Sequence, residues 1–166
     1  MNARDNILGR IRSALGKGDR KDAREAARSY MARHAPGPIP RAEWNLVARF
    51  RERALSLASS VDEIAALEQL PAAAARYLRE HDLPLQAVCW PEFATLNWAA
   101  QGINATARPA KGSDLVGITG AFCAIAETGT LATLSGKDTP SATSLLPETH
   151  IAVVDAARIV KGMEEA

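Results

Sequence analysis

Apolar residues in the first third of the chain recur at the three- and four-residue spacing of amphipathic helices. Three such stripes predict helices over residues 5–15, 20–34 and 42–57. The proline-rich segment 36–40 separates the last two, because proline cannot continue a helix and forms a stiff, extended linker. We therefore expect residues 1–58 to form a helical extension with little core of its own, buried on the body of the chain or on another subunit.

From residue 59 onward, short apolar runs alternate with helical patterns. The predicted strands are 59–67, which is weak, 86–90, 103–107 and, as the last strand, 151–154. The predicted helices are 71–81, 93–100 and a closing helix over 156–165. Strands that alternate with helices are typical of a parallel sheet with helices over its faces. The pattern thus predicts an α/β domain over residues 59–166.

The stretch from Leu115 to Leu134 is the most unusual part of the chain. Small and β-branched residues flank the tetrapeptide Glu127-Thr128-Gly129-Thr130, which predicts two strands that meet at a polar turn. Gly129 is able to take the positive φ that the third position of a type II turn requires.

Glu127 is the leading candidate for chemistry. A carboxylate between a buried run and a glycine is partly desolvated, so it is suited to act as a base, a nucleophile or a ligand anchor. We expect it at the rim of the sheet, facing a pocket. The alternative is that Glu127 caps the backbone amides of its own turn.

Hydroxyl groups and turn amides near the strand ends form a second group of candidates. In open α/β sheets ligands bind at the carboxyl ends of strands, and consecutive turn amides hold anions. A phosphate, carboxylate or acyl group would suit this set, although ordinary turn chemistry explains the same residues. The candidate ligand-binding residues are Thr119, Gly120, Glu127, Thr128, Gly129 and Thr130.

Charge is distributed unevenly over the 166 residues, although the net charge is only +1. Residues 1–55 hold 13 Lys and Arg against 6 Asp and Glu, whereas residues 56–166 hold 7 against 13. The basic segment is either a solvated helical face or a contact surface for an acidic partner, for nucleic acid or for the acidic body itself.

Several kinds of site are absent from the sequence. The chain has no apolar run of membrane-spanning length, no dinucleotide fingerprint and no P-loop. Its three histidines are far apart and its two cysteines, Cys89 and Cys123, form no CxxC pair, so we predict no metal site, no iron–sulfur cluster and no cofactor. The charged N-terminus lacks the apolar stretch of a signal peptide, which predicts a cytoplasmic protein.

Four strings of the sequence carry a family resemblance. They are Gly117-Ile118-Thr119, Ala124-Ile125-Ala126-Glu127-Thr128-Gly129-Thr130, Ser144-Leu145-Leu146-Pro147 with His150-Ile151, and the opening Asn6-Ile7-Leu8-Gly9-Arg10-Ile11-Arg12 through Leu15-Gly16. In these strings the chain resembles the lactate utilization protein C family, the LUD-domain group once known only as a domain of unknown function. The resemblance covers most of the chain.

This resemblance implies a fold and a role. The implied fold is a Rossmann-like α/β sheet similar to the NagB/RpiA/CoA-transferase superfamily, with an N-terminal helical extension. The implied role is in bacterial oxidation of L-lactate to pyruvate, beside two partner proteins, one of which bears iron–sulfur clusters. Members of the family usually continue past the closing helix, so the chain is expected to lack the usual C-terminal segment.

Three functions remain open from the sequence. The first is an accessory or assembly subunit of the lactate-oxidising system, which binds its Fe–S partner proteins, a small carboxylate or a further copy of itself. The second is an enzyme similar to CoA transferases, or another small-acid or nucleotide enzyme, with Glu127 as the acyl-accepting carboxylate. The third, binding of nucleic acid through residues 1–55, is disfavoured because no aromatic residues interleave with the basic ones.

Overall fold

A computed structural model describes residues 3–15, 20–33 and 43–166, and the chain divides into two compact units, Met1–Arg41 and Ala42–Ala166. The first unit contains α1 (Ala3–Ala14) and α2 (Arg20–Ala32), which confirm the first two predicted helices. The predicted proline-rich linker lies outside the described residues. Within the described ranges, no helix has the length and apolar character needed to cross a membrane.

The third predicted helix is α3 (Leu46–Ser56), and it belongs to the second unit. Asn45 begins it by accepting a hydrogen bond from the backbone N–H of Ala48 at 3.0 Å, the usual N-cap contact. The apolar stripe of α3 packs on a small cluster made by later strands, so the structure divides the chain after Arg41 and not after residue 58. The packed residues are Leu46, Val47 and Phe50 against Ala124, Ala126 and Ile159.

The second unit contains two sheets. Four strands form the larger one: β1 (Gln86–Cys89), β2 (Asn104–Ala107), β3 (Val116–Gly120) and β6 (Thr149–Val153). They are all parallel and lie in the order β2-β1-β3-β6. The smaller sheet has the order β5-β4-β7, with β4 (Cys123–Ile125) antiparallel to β5 (Thr130–Ala132) and parallel to β7 (Ile159–Val160).

The main core covers one face of the parallel sheet. Pro71 occupies the first turn of α4 (Leu70–Glu80), where its missing N–H leaves no helical bond unmade. The alanine-rich side of α4 shares one buried cluster with the strands; its members include Ala74, Ala75, Leu78, Ala87, Cys89, Trp90, Phe93, Trp98, Val116 and Ile118. Alternating side chains of a strand point to opposite faces, so Val116 and Ile118 define this face of β3. The unit is a Rossmann-like α/β fold, as the sequence predicted.

Three sequence-based assignments differ from the structure. Residues 59–67 form no strand. In place of the helix predicted over 93–100 there are two short 3₁₀ turns, Pro91–Phe93 and Ala99–Gln101. The closing helix is absent, because Ile159–Val160 pairs with β4 as β7 between two further 3₁₀ turns. The two strands predicted to meet at the polar turn are confirmed as β4 and β5, and β3 precedes them in the same stretch, because the chain leaves the parallel sheet after β3 to begin the small sheet.

Gly117 allows a short helix to rest directly on the second face of β3. A side chain there would collide with the backbone carbonyl oxygen of Thr143 and would lie 2.9 Å from Cγ of Pro147. Both residues belong to α5 (Ala142–Leu145) or the turn after it. The Cα atom of Gly117 therefore forms the contact surface between β3 and α5.

We expect Gly117→Ala to lower the free energy of unfolding by roughly 2–3 kcal/mol, since an added methyl group overpacks a site that is already filled by backbone. Gly112→Ala is the matched control, because a Cβ at Gly112 meets no atom within 4 Å. Urea unfolding of both variants measures the difference. Equal stability of the two variants would contradict the proposed contact.

Candidate functional site

The parallel sheet changes winding direction between β1 and β3. The chain passes from β1 to β2 on one side, and β3 then pairs with the opposite side of β1. In open α/β sheets this reversal leaves a crevice at the carboxyl ends of the two strands, where ligands bind. The residues at this position are Trp90 and Glu92 after β1, and Thr119 and Gly120 at the end of β3.

Glu92 and Gly120 lie in contact at this carboxyl edge. A Cβ on Gly120 would collide with Oε1 of Glu92 and would lie 3.6 Å from Cζ3 of Trp90. Within the part of the chain that the structure describes, the carboxylate of Glu92 makes no hydrogen bond or ion pair. The crevice thus offers one exposed carboxylate beside an aromatic wall, a pair suited to ligand groups that donate hydrogen bonds.

Trp90 ties a polar loop to the same edge. Its backbone N–H donates to the carbonyl of Ile118 at 3.1 Å, and its indole Nε1 donates to the carbonyl of Pro140 at 3.2 Å. Pro140 ends the loop that connects β5 to α5, so this loop borders the crevice. Trp90 and Glu92 were not among the residues predicted from the sequence, although their position directly after a buried strand could have indicated them.

Thr119 is fully buried and contacts a histidine on the neighbouring strand. Its hydroxyl lies 2.7 Å from Nε2 of His150, and the imidazole tautomer decides which of the two donates. The register pairs Gly117 with His150, and Thr119 is on the same face of β3 as Gly117. The side chains of Thr119 and His150 therefore both lie on the α5 face of the sheet. Burial lowers the pKa of His150 from its ordinary value of 6.5, which favours the neutral ring.

Thr143 adds a buried hydroxyl on the same side of the sheet. It is fully buried on α5, and among the described residues its Oγ1 has no hydrogen-bond partner. Because α5 rests on Gly117, which is paired with His150, the three polar residues Thr119, Thr143 and His150 lie on one side of the sheet. The burial of the two threonines and the contact of Thr119 with His150 indicate a structural role in joining β3, β6 and α5.

The Glu127–Thr130 turn lies elsewhere, in the small sheet between β4 and β5. Since Ile125 pairs with Thr130 and Cys123 pairs with Ala132, the turn is at the end of β4 that is farther from Gly120. The six candidate residues are therefore split between the two ends of β4. Neither the cavity beside Gln86 and Asn104 nor that beside Phe122 and Cys123 includes Glu127.

Backbone contacts hold the turn in place. The N–H of Glu127 donates to the carbonyl of Lys161 at 3.0 Å, and the N–H of Gly129 donates to the carbonyl of Ile125 at 2.9 Å. The hydroxyl of Thr128 donates to that of Thr130 at 2.8 Å. Gly129 has the positive φ expected from the sequence, +74°. Glu127 itself is half-buried, and its Oε2 lies beside Gly162.

An arginine of α3 adjoins this turn. A Cβ on Gly129 would lie 2.9 Å from Cβ of Arg53 and 3.0 Å from the backbone nitrogen of Ala54, so the turn rests on the last helical residues of α3. Arg53 is half-buried, and its Nε is buried without a hydrogen-bond partner in the described residues. No described acidic residue pairs with it. An arginine whose stem lies against a turn that carries two threonine hydroxyls is suited to bind an anion, and Arg53 was not among the residues predicted from the sequence.

The cysteines are separate and buried. Burial raises the pKa of the Cys89 thiol, so its reactive thiolate form is disfavoured. Cys123 is also buried. Across residues 3–15, 20–33 and 43–166, no three His, Cys, Asp or Glu side chains gather in a group able to hold a metal ion.

Comparison with known protein families identifies a domain family. The family model described as the LUD domain matches residues 19–166. No curated protein and no solved structure matches the chain.

Desolvation of the His150 ring, which lowers its pKa, predicts a pH dependence of stability. Because the folded state favours the neutral ring, the unfolded chain binds more protons below about pH 6.5, and His150 therefore destabilises the fold as the pH falls from that value. We expect His150→Gln to flatten the loss of stability between about pH 6.5 and pH 5.

Thermal unfolding across this pH range tests the expectation. His81→Gln is the matched control. His81 is an exposed histidine at the C-terminal end of α4, where its ring contacts that of Tyr77. An unchanged slope in His150→Gln would contradict the assignment.

Proposed function

This chain belongs to the LUD domain family, and we propose that it is an accessory or assembly subunit of the bacterial system that oxidises L-lactate to pyruvate. The LUD domain is associated with lactate utilization. The observation that carries the proposal is the family match, which extends from residue 19 through α3 and both sheets to residue 166. Strings typical of the lactate utilization protein C group, such as Ala124–Thr130, support the narrower assignment.

The chemistry of the reaction supports the accessory role. Conversion of lactate to pyruvate releases two electrons and two protons, so the system needs an electron acceptor. Iron–sulfur clusters are usually held by four cysteine thiolates, and this chain has two cysteines, which are buried apart from each other on β1 and β4. We therefore assign the clusters to partner proteins in the cytoplasm, and contact with those partners to this chain.

The first unit offers a surface for such contact. Exposed apolar side chains follow α1 and α2, and they include Ile7, Ile11, Leu15, Tyr30 and Met31. Exposed apolar patches with polar surroundings are typical of protein–protein interaction sites. The excess of basic residues in this segment would favour an acidic face on the partner.

We also propose that the Glu127–Thr130 turn binds a small carboxylate, with Arg53 as its cationic anchor. A guanidinium group forms strong, charge-assisted hydrogen bonds with a carboxylate, and a partly buried cation without a protein partner gains most from one. The hydroxyl of Thr130, which accepts a hydrogen bond from Thr128, keeps its own O–H as a further donor at the same turn. L-Lactate and pyruvate both carry the required carboxylate.

A second candidate function uses Glu127 as an acyl acceptor in a reaction similar to that of CoA transferases. It is favoured by one observation: the half-buried Glu127 carboxylate makes no hydrogen bond or ion pair within the described residues. A covalent adduct formed with a CoA ester, and lost in Glu127→Gln, would favour this enzyme over the accessory subunit.

Removal of the gene should abolish or strongly slow growth of the parent bacterium on L-lactate, because the remaining components would lack this subunit. Growth on pyruvate should be normal, since pyruvate lies after the oxidation step. The wild-type gene should restore growth, and the protein that it encodes should co-purify with the Fe–S proteins. Normal growth of the deletion strain on L-lactate would contradict the proposal.

Arg53→Met should weaken binding of L-lactate by roughly tenfold or more, the effect expected when a charge-assisted hydrogen bond of about 1.5–3 kcal/mol is lost. Arg51→Met is the matched control, because Arg51 is an exposed α3 residue that faces Glu63 at 3.6 Å. Calorimetric titration of each variant with L-lactate gives the dissociation constants. Equal weakening in both variants would contradict a specific role for Arg53.

A further inference from the structure

A cavity of about 250 Å³ lies on the second face of the parallel sheet, away from the crevice and from the Glu127–Thr130 turn. Its floor is the start of β1 and β2. The register pairs Gln86 with Asn104 and Val88 with Thr106, which places these four side chains next to one another on a single face. Parallel sheets are usually covered on both faces, so an open polar floor in one is unusual.

The connection between β2 and β3 forms a wall of this cavity. Both strands are neighbours of β1, so residues 108–115 must cross β1 to return from the end of β2 to the start of β3. No helix forms in this crossing, and the side chains of Ser113 and Asp114 line the cavity. A compact loop therefore stands where a covering helix is usual, and it leaves the polar floor accessible.

An ion pair fixes the shape of that loop. Arg108 donates two hydrogen bonds of 2.7 Å to the carboxylate of Asp114, and the backbone N–H of Lys111 donates a third at the same distance. The Arg108 guanidinium is the main cause that lowers the pKa of Asp114, to about 2. The two charges in the cavity wall therefore neutralise each other.

The polar side chains at the cavity are not engaged in hydrogen bonds with the described residues. Within the part of the chain that the structure describes, the side chains of Gln86, Asn104, Thr106 and Ser113 make no hydrogen bond to another protein group. Two carboxamides and two hydroxyls supply both donors and acceptors. They converge on a space large enough for a small organic molecule.

The lining narrows the class of ligand. A phosphate or carboxylate is disfavoured because the guanidinium of Arg108 is already held by Asp114 in a bidentate pair. A nucleobase is disfavoured because none of the described lining residues has an aromatic ring on which a base would stack. From these contacts we infer that the cavity is a binding site for a small, neutral, polyhydroxylated molecule such as a monosaccharide, held by Gln86, Asn104, Thr106 and Ser113.

The inference is independent of the proposed role in lactate oxidation. It is tested by titrating the full ¹⁵N-labelled chain with D-ribose and D-glucose, and with D-ribose 5-phosphate, L-lactate and adenine as charged and aromatic probes. We expect saturable shifts of the side-chain amide signals of Gln86 and Asn104 with at least one neutral sugar. The phosphorylated sugar should bind no more tightly than D-ribose, since Arg108, the cation among the described lining residues, is already paired with Asp114.

Substitution separates this site from unspecific sugar contact. Asn104→Ala should weaken sugar binding by roughly three- to tenfold, and Asn104→Ala with Thr106→Val should weaken it further, since each variant removes hydrogen bonds. Asn6→Ala, an exposed α1 position, is the matched control and should leave sugar binding unchanged. Amide spectra of the variants also report whether the fold is retained.

Three results would overturn the inference: no saturable shift with either sugar, tighter binding of the phosphorylated sugar or adenine, or sugar binding that persists unchanged in the double variant. L-Lactate binding at Arg53 has its own readout, so failure at the cavity leaves that proposal unaffected.

Discussion

The double burial of β3 is the constraint on which the rest of the second unit depends. One face of this strand carries Val116 and Ile118, which join the core beneath α4. The other carries Gly117 and Thr119, where α5 makes backbone contact and His150 meets a buried hydroxyl. A parallel strand in this position needs apolar side chains towards one layer and very small or internally bonded ones towards the other. That requirement explains the unusual composition Val-Gly-Ile-Thr-Gly.

This placement of β3 also decides where chemistry is available. With β1 on one side and β6 on the other, β3 creates the reversal of winding next to which Trp90, Glu92 and Gly120 meet. The chain then leaves the parallel sheet at once and forms the small sheet. The Glu127–Thr130 turn is thereby carried to the far end of β4, beside α3 and Arg53. Two separate polar regions follow, one with the Glu92 carboxylate and one with Arg53, and neither group is paired with an oppositely charged residue among those described.

These two regions fit a protein that acts together with others. The crevice presents an acidic group to ligands with donors, whereas Arg53 offers a cation to an anion. The LUD family membership and the exposed apolar residues of α1 and α2 agree with a subunit that binds partners.

Local patterns in the sequence were sufficient for much of the fold. Helical spacing identified α1, α2, α3 and α4, and the apolar runs identified β1, β2 and β6, because both periodicities are set within a few residues. The positive φ of Gly129 could also be predicted, since it follows from the chemistry of a tight turn. Tertiary contacts decided the remainder. Whether Ile159–Val160 becomes strand or helix depends on pairing with β4, which lies some thirty residues earlier.

The same distinction applies to the candidate site. Sequence alone selected Thr119, Gly120 and the Glu127–Thr130 turn as polar positions at strand ends. Only the structure separated them, because the direction in which β4 leaves the parallel sheet is fixed by long-range pairing and by the packing of α3. Glu92 and Arg53 were identified only from the structure for the same reason. Glu92 contacts Gly120 and Arg53 contacts Gly129, and in each pair the two residues are distant in the chain but adjacent in space.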